Sequence, residues 1–330
     1  YEAQFHSKIN LIAGGRFDHH TVYGAQISPK FALGYRINDK INLRTSIGWG
    51  FKAPDFRQLY LNFNNTVAGY SVFGSEELPQ AIRQLQATNQ LAALFVNPDS
   101  IGKLQAERSI AYNLGANCNI NKQLKAQVNF FRNDVRNLIE TQTAARQTNG
   151  QTIFSYYNLN RIFTQGAEIN AQATFAKYFD ASAGYQLLFA KDKSVLTQIR
   201  AGDVYRRDAQ TLQTQRVALS DYGGLFQRSR HSYNLKFGFS LPKHGFFTTF
   251  RAIYRGRYGF ADSNANAILD HDSEYIKGYF TLHLSATKYF WHERIRIQAG
   301  ADNFLNYRQP TQIPNLFGRL YWLSLQFSLH

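Results

Sequence analysis

The stretch Ile41-Asn-Leu-Arg-Thr-Ser-Ile-Gly-Trp-Gly-Phe51 decides the fold, because apolar and polar residues alternate along its whole length. Isoleucine, leucine, threonine, tryptophan and phenylalanine occupy one set of positions, and asparagine, arginine, serine and glycine stand between them. Successive side chains of a β-strand point to opposite faces. The stretch therefore predicts a strand with one apolar face and one polar face.

The same alternation recurs along the chain in stretches of about ten residues, the length of a strand that crosses a membrane. In 231–241, for example, Tyr233, Leu235 and Phe237 alternate with Asn234 and Lys236. We predict twelve strands, over residues 7–20, 25–38, 41–56, 105–120, 124–142, 153–175, 179–191, 231–241, 246–261, 275–289, 293–305 and 318–329.

The connections between these strands alternate between short and long. The short ones fall at 38–40, 121–123, 176–178, 242–245 and 290–292. The long ones fall at 57–104, 143–152, 192–230, 262–274 and 306–317. Short turns at one end of a sheet and long loops at the other are typical of outer-membrane β-barrels. Aromatic residues such as Tyr289, Phe290 and Trp291 flank the short turns, where an interfacial girdle would lie.

Composition narrows the class of protein without deciding it. Of the 330 residues, 44% are hydrophobic, and no run approaches the roughly 18 apolar residues of a transmembrane helix. A soluble antiparallel sandwich is therefore the first alternative. It would use strands of about five or six residues, and it has no reason to sort its connections by length.

Charge and cysteine content exclude further classes. The net charge of +15 suits nucleic acid, anionic lipid or an anionic ligand. The basic residues are spread over strands and loops, so we expect no nucleic-acid partner. The single cysteine, Cys118, excludes an intrachain disulfide. The chain starts at Tyr1 with neither Met nor a signal peptide, and we expect it to be part of a larger protein.

Five sequence motifs follow one another along the chain. The first is Gly48-Trp-Gly-Phe-Lys-Ala-Pro-Asp-Phe-Arg-Gln-Leu-Tyr60, with Phe51, Lys52, Ala53 and Pro54 at its centre. The second starts with Asn97, Pro98 and Asp99 and continues through Leu104-Gln-Ala-Glu-Arg-Ser109 to Asn113-Leu-Gly115. The others are Gln165-Gly-Ala-Glu168, Gly300-Ala-Asp-Asn-Phe-Leu-Asn-Tyr307, and the final alternating strand after Gly318-Arg319.

Together these motifs resemble those of TonB-dependent outer-membrane receptors, and most of all the iron-siderophore branch of Bacteroidetes-type bacteria. Two positions depart from the family pattern. Lys52 stands where the family usually has arginine, and the chain ends on His330 where the family usually ends on an aromatic residue.

The resemblance implies an all-β, antiparallel transmembrane β-barrel in the cell outer membrane, crossed many times by the chain. Residues 1–330 would be the C-terminal part of a 22-stranded barrel with about twelve strands present, while the N-terminal plug and the first strands lie outside the chain. A self-closed, passive channel of twelve strands remains the alternative architecture.

The resemblance also implies a function and a set of partners. The function is energy-coupled uptake of a scarce iron chelate, a ferric siderophore. The partners are the TonB–ExbB–ExbD complex acting through the plug, outer-membrane lipid and lipopolysaccharide, the small-molecule metal chelate and a surface lipoprotein. No bound cofactor or metal is implied. Heme and cobalamin are alternative ligands, although residues 55–96 contain none of the histidine that heme receptors place between the first two motifs.

No catalytic motif occurs: the chain lacks a Gly-x-Ser-x-Gly elbow, a His-Glu-x-x-His pair and a phosphate-binding glycine loop. We therefore expect a protein that is not an enzyme. Binding without a covalent step would use the long loops and the upper wall.

Two long loops carry the candidate ligand contacts, because arginine and aromatic side chains suit an anionic chelate. In loop 192–230 they are Tyr205, Arg206, Arg207, Arg216, Tyr222 and Arg228, and in loop 57–104 they are Tyr60, Phe63, Tyr70 and Arg83. For each of them the alternative is a solvated residue, or one that pairs with lipopolysaccharide phosphates. Residues 78–95, within loop 57–104, predict a short amphipathic helix. We interpret the polar positions of the strands as structure that faces the plug, and not as ligand contacts.

Overall fold

Long antiparallel strands dominate the computed structural model of the chain, which describes residues 2–5, 8–65, 69–97, 103–207, 211–262, 266, 268–310, 312–313 and 315–328. The strands of its main wall are, in chain order, β1 (Glu2–Phe5), β2 (Ile9–His20), β3 (Gly24–Arg36), β4 (Ile41–Lys52), β5 (Glu107–Asn119), β6 (Leu124–Gln147), β7 (Thr152–Phe175), β8 (Phe179–Asp192), β9 (His231–Leu241), β10 (Phe246–Arg255), β11 (Tyr279–Phe290), β12 (Ile295–Asp302) and β13 (Leu320–Phe327).

Each strand of the wall pairs with its neighbours in sequence, and every one of these pairings is antiparallel. Strands β2 to β13 confirm the twelve predicted strands. β1 is an additional strand, and its four residues are too few to show the alternation from which the others were predicted. The described sheet is open, with β1 and β13 at its two edges.

One face of this wall is apolar and uncovered. The strand register places apolar residues opposite one another. Leu43 lies opposite Ala116, Ala116 opposite Val128, and Val128 opposite Ile169. Large side chains on this face are exposed, including Phe130 at 54%, Phe327 at 64% and Leu323 at 75%. A soluble sandwich would cover this face with a second sheet, whereas a membrane supplies hydrocarbon in its place.

The buried core lies at the long-loop end of the wall, not along it. Three groups of buried side chains form there, each extended by half-buried neighbours. The first is Leu78, Ile82, Ala144, Ala145 and Ile153; the second is Ile199, Val217, Tyr222 and Ile268; the third is Tyr258, Ile276 and Tyr279. The long loops are therefore folded elements with cores of their own.

In the described part of these loops there are three α-helices and seven short strands. The helices are α1 (Phe56–Tyr60), α2 (Leu78–Ala87) and α3 (Lys193–Ala201). The short strands are Asn62–Asn65, Tyr70–Phe73, Leu91–Leu94, Tyr205–Arg207, Thr214–Arg216, Tyr258–Gly259 and Tyr275–Ile276. The described 3-10 helices are Pro242–His244 in a short turn and Asp272–Glu274 in a long loop. None of the described helices has the length and apolar character of a membrane span.

The helix expected over 78–95 is shorter than the sequence predicts. α2 ends at Ala87, and Asn89 after it adopts a left-handed conformation with φ 54°. Such a residue just past the end of a helix is a common terminator. The following Leu91–Leu94 pairs with the end of β6 as a strand, because the long β6 offers it an unpaired edge.

The uncovered apolar face leads to a test of which side of the wall meets lipid. Leu235 lies near the middle of β9 on the apolar face, opposite Ala183 and Ala252. We expect Leu235→Arg to lower the free energy of unfolding of the intact protein in lipid vesicles by about 2–4 kcal/mol, as charges near the bilayer midplane do.

Asn234→Arg, on the polar face of the same strand, is the matched control and should cost much less. Urea unfolding followed by fluorescence measures both values. Equal losses for the two variants would contradict the assignment of the faces.

Candidate functional site

A concavity of about 620 Å³ lies at the long-loop end of β7–β10, mainly on their polar face. Strand residues that are polar in the sequence pattern converge there with the end of the loop that precedes β9. Its lining residues are Glu168, Asn170, Tyr185, Gln186, Leu188, Gln227, Arg228, Ser229, Ser232, Tyr233, Asn234, Arg251, Ile253, Tyr254 and Arg255.

Three arginines give this concavity its positive character. Arg251 and Arg255 lie four residues apart on β10, so strand geometry directs both to the same face. Arg255 donates from Nη2 to the Gln227 carbonyl oxygen at 3.1 Å, and its guanidinium carbon lies 3.7 Å from the centre of the Tyr258 ring. Arg228 is anchored by Glu140, with 3.5 Å between Nη2 and Oε1. Arg251 is exposed and lies four residues further from the loops than Arg255.

Glu168 lines the concavity, and Gly184 lies next to two of its lining amide side chains. Gln186 donates from Nε2 to Oε1 of Glu168 at 2.9 Å, which fixes that carboxylate against β8. Gly184 leaves room between two amide side chains: a Cβ there would lie 2.4 Å from Nδ2 of Asn234 and 2.9 Å from Oδ1 of Asn170. A larger residue at this position would push these amides into the cavity.

Two long loops, 193–230 and 256–278, pack together above the concavity as one lobe. Ile268 of the second loop joins Ile199, Val217 and Tyr222 of the first in a common apolar cluster. The Gly223 amide donates to the Leu269 carbonyl oxygen at 2.7 Å, which brings the two backbones into direct contact. Here a side chain is excluded, because a Cβ on Gly223 would lie 1.6 Å from the Tyr275 hydroxyl. The two loops therefore form a single packed unit.

The predicted contacts of loop 192–230 fall into two kinds. Tyr222 is 3% exposed and its hydroxyl accepts the Asp192 amide hydrogen at 3.1 Å, so it is a structural residue of the lobe. Arg206 is also a structural residue that connects the two loops. Its Nη1 donates to the Asp270 carbonyl oxygen at 3.0 Å and lies 3.5 Å from a carboxylate oxygen of Asp221.

The remaining predicted residues of this loop are on its surface. Arg216 lies across the Tyr205 ring, with its guanidinium carbon 5.8 Å from the ring centre, and both side chains are exposed. Arg207 is exposed and donates to the Leu212 carbonyl oxygen at 3.3 Å. Arg228 alone among the predicted arginines lines the concavity.

The predicted aromatic contacts of loop 57–104 form a separate group. Phe63 and Tyr70 lie on paired short strands with ring centres 6.1 Å apart, and Phe154 of β7 lies 6.2 Å from Tyr70. Tyr60 ends α1, half exposed, 6.2 Å from Phe56. Arg83 lies on the exposed side of α2. None of these four lines the arginine-rich concavity.

Burial raises the pKa of Tyr23, and the charges of Glu76 and Tyr60 raise it further. Tyr23 belongs to the turn between β2 and β3, whereas Glu76 and Tyr60 belong to loop 57–104. The two connections at this end of the wall are therefore close enough to interact.

The first two sequence motifs meet at the junction of β4 and β5. Lys52 forms an ion pair with Glu107, with 3.0 Å between Nζ and Oε1. Pro54 is buried after the exposed Lys52 and half-buried Phe51 and Ala53, and α1 then starts with Asp55 and Gln58 capping each other's backbone amides. Asn97 is exposed, and Pro98 lies outside the described residues. Residues of the first two motifs thus link the loop-side ends of β4 and β5.

Sequence reasoning missed Arg251, Arg255 and Glu168 as site residues, because it interpreted the polar face of the strands as plug-facing structure. The signal was present: Arg251, Arg255 and Arg257 share one parity within 246–261, which places three cations on one face of the predicted strand. Among the described residues, no group of three or more histidine, cysteine, aspartate or glutamate side chains is arranged to hold a metal ion.

Comparison with known proteins gives one family and several distant relatives. The family described as TonB dependent receptor-like, beta-barrel, matches residues 1–304. The chain is 23% identical over 194 residues to the iron-regulated outer membrane virulence protein of Vibrio cholerae, covering 57% of the chain and 26% of that protein. It is 28% identical over 157 residues to the ferrienterobactin receptor of Escherichia coli (strain K12), covering 47% of the chain and 19% of that protein.

A solved structure shares the fold along the whole chain. The siderophore receptor PirA from Pseudomonas aeruginosa superposes with a TM-score of 0.61 at 16% identity, covering 100% of the chain and 47% of that structure. The chain spans about a quarter or less of the length of the two curated relatives, and about half of this structure.

The burial of Tyr222 gives a prediction about alkaline pH. Burial raises the pKa of Tyr222 to about 12 from the ordinary value of 10.0, and the hydrogen bond from the Asp192 amide only partly offsets this. The unfolded chain releases this proton near pH 10 and the folded lobe holds it until about pH 12. The contribution to stability is therefore complete below pH 10 and is lost as the pH rises toward 12.

Alkaline titration of tyrosinate absorbance tests this for the intact protein and for Tyr222→Phe. We expect the difference between the two titrations to be one tyrosine with a midpoint near pH 12. A midpoint near 10 would show that the lobe leaves Tyr222 in contact with solvent.

Proposed function

We propose that this chain, which belongs to the TonB-dependent receptor β-barrel family, forms the ligand-binding part of the wall of an outer-membrane receptor that imports a scarce, anionic ferric siderophore. The observation that carries this proposal is the concavity lined by Arg228, Arg251 and Arg255 beneath the packed lobe. The relatives are a ferrienterobactin receptor and an iron-regulated outer membrane protein, which supports a ferric chelate as the cargo.

The concavity suits an anion that carries aromatic groups. Guanidinium groups donate several hydrogen bonds to carboxylate or catecholate oxygens, and their planes also stack on rings. Arg251 is exposed and faces the concavity, whereas Arg255 is held by Ser229, Gln227 and the Tyr258 ring. Arg255 therefore supplies a fixed charge, and Arg251 can adjust to a ligand.

The loops add a second surface above the concavity. The exposed pair Tyr205 and Arg216 and the exposed Arg207 lie on the short hairpin of the lobe. On the other side, Phe63 and Tyr70 form an aromatic surface next to β7. We propose that these residues capture the chelate first and that the wall arginines receive it, while the buried Tyr222 and the tied Arg206 hold the lobe.

The uncovered apolar face supports the proposed position in the outer membrane, in which the chain crosses the bilayer repeatedly and the long loops lie outside. In hydrocarbon, unpaired strand edges are costly because no water can satisfy their backbone groups. The open sheet, with β1 and β13 at its edges, therefore supports a larger barrel over a self-closed passive channel.

Transport in this proposal needs no covalent step, so we propose a receptor and not an enzyme. A plug in the complete barrel, pulled by the TonB–ExbB–ExbD complex, would release the bound chelate. The polar wall positions at the short-turn end, such as Arg296 and Gln298, would face that plug. A surface lipoprotein remains a further proposed partner at the loop end.

The ligand proposal predicts that neutralising the wall arginines weakens chelate binding. We expect Arg251→Gln to raise the Kd of the intact receptor for ferric enterobactin, used as a probe, by about tenfold to a hundredfold, since a charge-assisted hydrogen bond contributes about 1.5–3 kcal/mol. Quenching of intrinsic fluorescence on titration measures the Kd.

Lys243→Gln is the matched control, because Lys243 is an exposed cation at the short-turn end of β9. It should leave the Kd unchanged. An unchanged Kd in Arg251→Gln and in Arg228→Gln would remove the concavity as the binding site, and binding of the loop surface alone would have to be considered.

A further inference from the structure

The apolar face of β5–β8 turns basic toward the long-loop end. In the middle of these strands, neighbours on this face are Leu114, Phe130, Ala167 and Leu187. Two residues closer to the loops the same face carries Tyr112, Arg132, Gln165 and Phe189, and two further on Ile110, Asp134, Phe163 and Lys191. Each step along a strand by two residues covers only about 6.8 Å, so the apolar band ends abruptly.

Two residues further toward the loops, the same face carries three arginines side by side. Arg108 of β5 lies directly opposite Arg136 of β6, and Arg136 lies directly opposite Arg161 of β7. All three are exposed. Directly opposite residues of antiparallel strands have Cβ atoms about 4.5–5.5 Å apart, and like charges at that distance destabilise the sheet. Within the described part of the chain, no carboxylate forms an ion pair with any of them.

Further cations border this row, and the nearby carboxylate does not neutralise it. Asp134 accepts hydrogen bonds from Arg132 at 2.8 and 3.0 Å and forms an ion pair with Lys193 of α3. Both cations also lie near the Phe163 ring, at 4.7 and 5.9 Å from its centre. One carboxylate thus serves two cations, and the arginine row keeps its full charge.

We propose that the row Arg108, Arg136 and Arg161, extended by Arg132 and Lys193, binds the phosphate groups of a membrane lipid headgroup at the outer border of the bilayer. This site is distinct from the chelate concavity, because it lies on the opposite, apolar face of the wall. It rests on the proposed placement of that face in lipid, and not on the identity of the imported ligand.

The chemistry of the row fits a phosphorylated headgroup whose acyl chains lie along the apolar band. Arginine forms bidentate hydrogen bonds with phosphate, and a bridging phosphate removes the repulsion within the row. The acyl chains would then contact Leu114, Phe130 and their neighbours three tiers below. A soluble anion would gain only the first of these two contributions.

The experiment compares the intact receptor with the triple variant Arg108→Gln, Arg136→Gln, Arg161→Gln in phosphatidylcholine nanodiscs. The probe is lipid A with both phosphates, titrated into the discs, and lipid A without phosphates is the second probe. We expect the triple variant to bind the phosphorylated probe about a hundredfold more weakly, and the intact receptor to prefer that probe over the dephosphorylated one.

A second triple variant, Lys122→Gln, Lys177→Gln, Lys243→Gln, removes three exposed cations at the short-turn end and should bind like the intact receptor.

Thermal unfolding adds a readout that a purely structural role would not give. In phosphatidylcholine alone the arginine variant should be at least as stable as the intact receptor, because it has lost repulsion, whereas phosphorylated lipid A should raise the Tm of the intact receptor only.

Equal affinity of the arginine variant and the intact receptor for phosphorylated lipid A would overturn the proposal, as would equal binding of the two probes by the intact receptor. Chelate affinity is measured on the same arginine variant and should be unchanged. Failure of the lipid site and failure of the chelate site are therefore separate outcomes.

Discussion

The pairing of backbone amides and carbonyls between neighbouring strands is the constraint on which the rest of the structure depends. In hydrocarbon an unpaired peptide group has no water to bind, so each strand needs a partner along the whole length that contacts lipid. The ladder from β1 to β13 meets this need for every strand between its two edges. It also explains why alternation of apolar and polar residues, and not average hydrophobicity, identifies these segments.

Because the wall has no core of its own, the protein buries its apolar side chains at the loop end. The long loops cannot rely on lipid for stability and behave as small soluble structures. Leu78 and Ile82 of α2 pack on Ala144, Ala145 and Ile153, which belong to the extensions of β6 and β7 beyond the wall. Tyr222 and Ile268 join two loops that are distant in sequence. This folded end contributes Gln227, Arg228 and Ser229 to the lining of the concavity.

The sequence was sufficient for everything that depends on local periodicity. It predicted strands β2 to β13 and the alternation of short and long connections, since both follow from neighbours two residues apart. It could not predict which loops pack together, because the contact of Gly223 with Leu269 and the tie from Arg206 to Asp270 join segments without any shared pattern. For the same reason Tyr222 looked like a surface aromatic before the structure showed it buried, and α2 looked longer than it is because Leu91 and Leu94 find a strand partner in β6.

Strand register decides what each arginine of the wall can do. Arg251 and Arg255 occupy positions of one parity and face the concavity, whereas Arg108, Arg136 and Arg161 occupy the other parity and face outward. A slip of one residue would exchange these faces, placing the proposed chelate-binding charges in lipid and apolar side chains in the interior. Glycines resist such a slip: a Cβ on Gly166 would lie 1.8 Å from the Leu187 carbonyl oxygen, so the close approach of β7 and β8 admits a glycine only at this place. The residues that fix the register are therefore as necessary to the proposed binding site as the arginines, although they lie outside it.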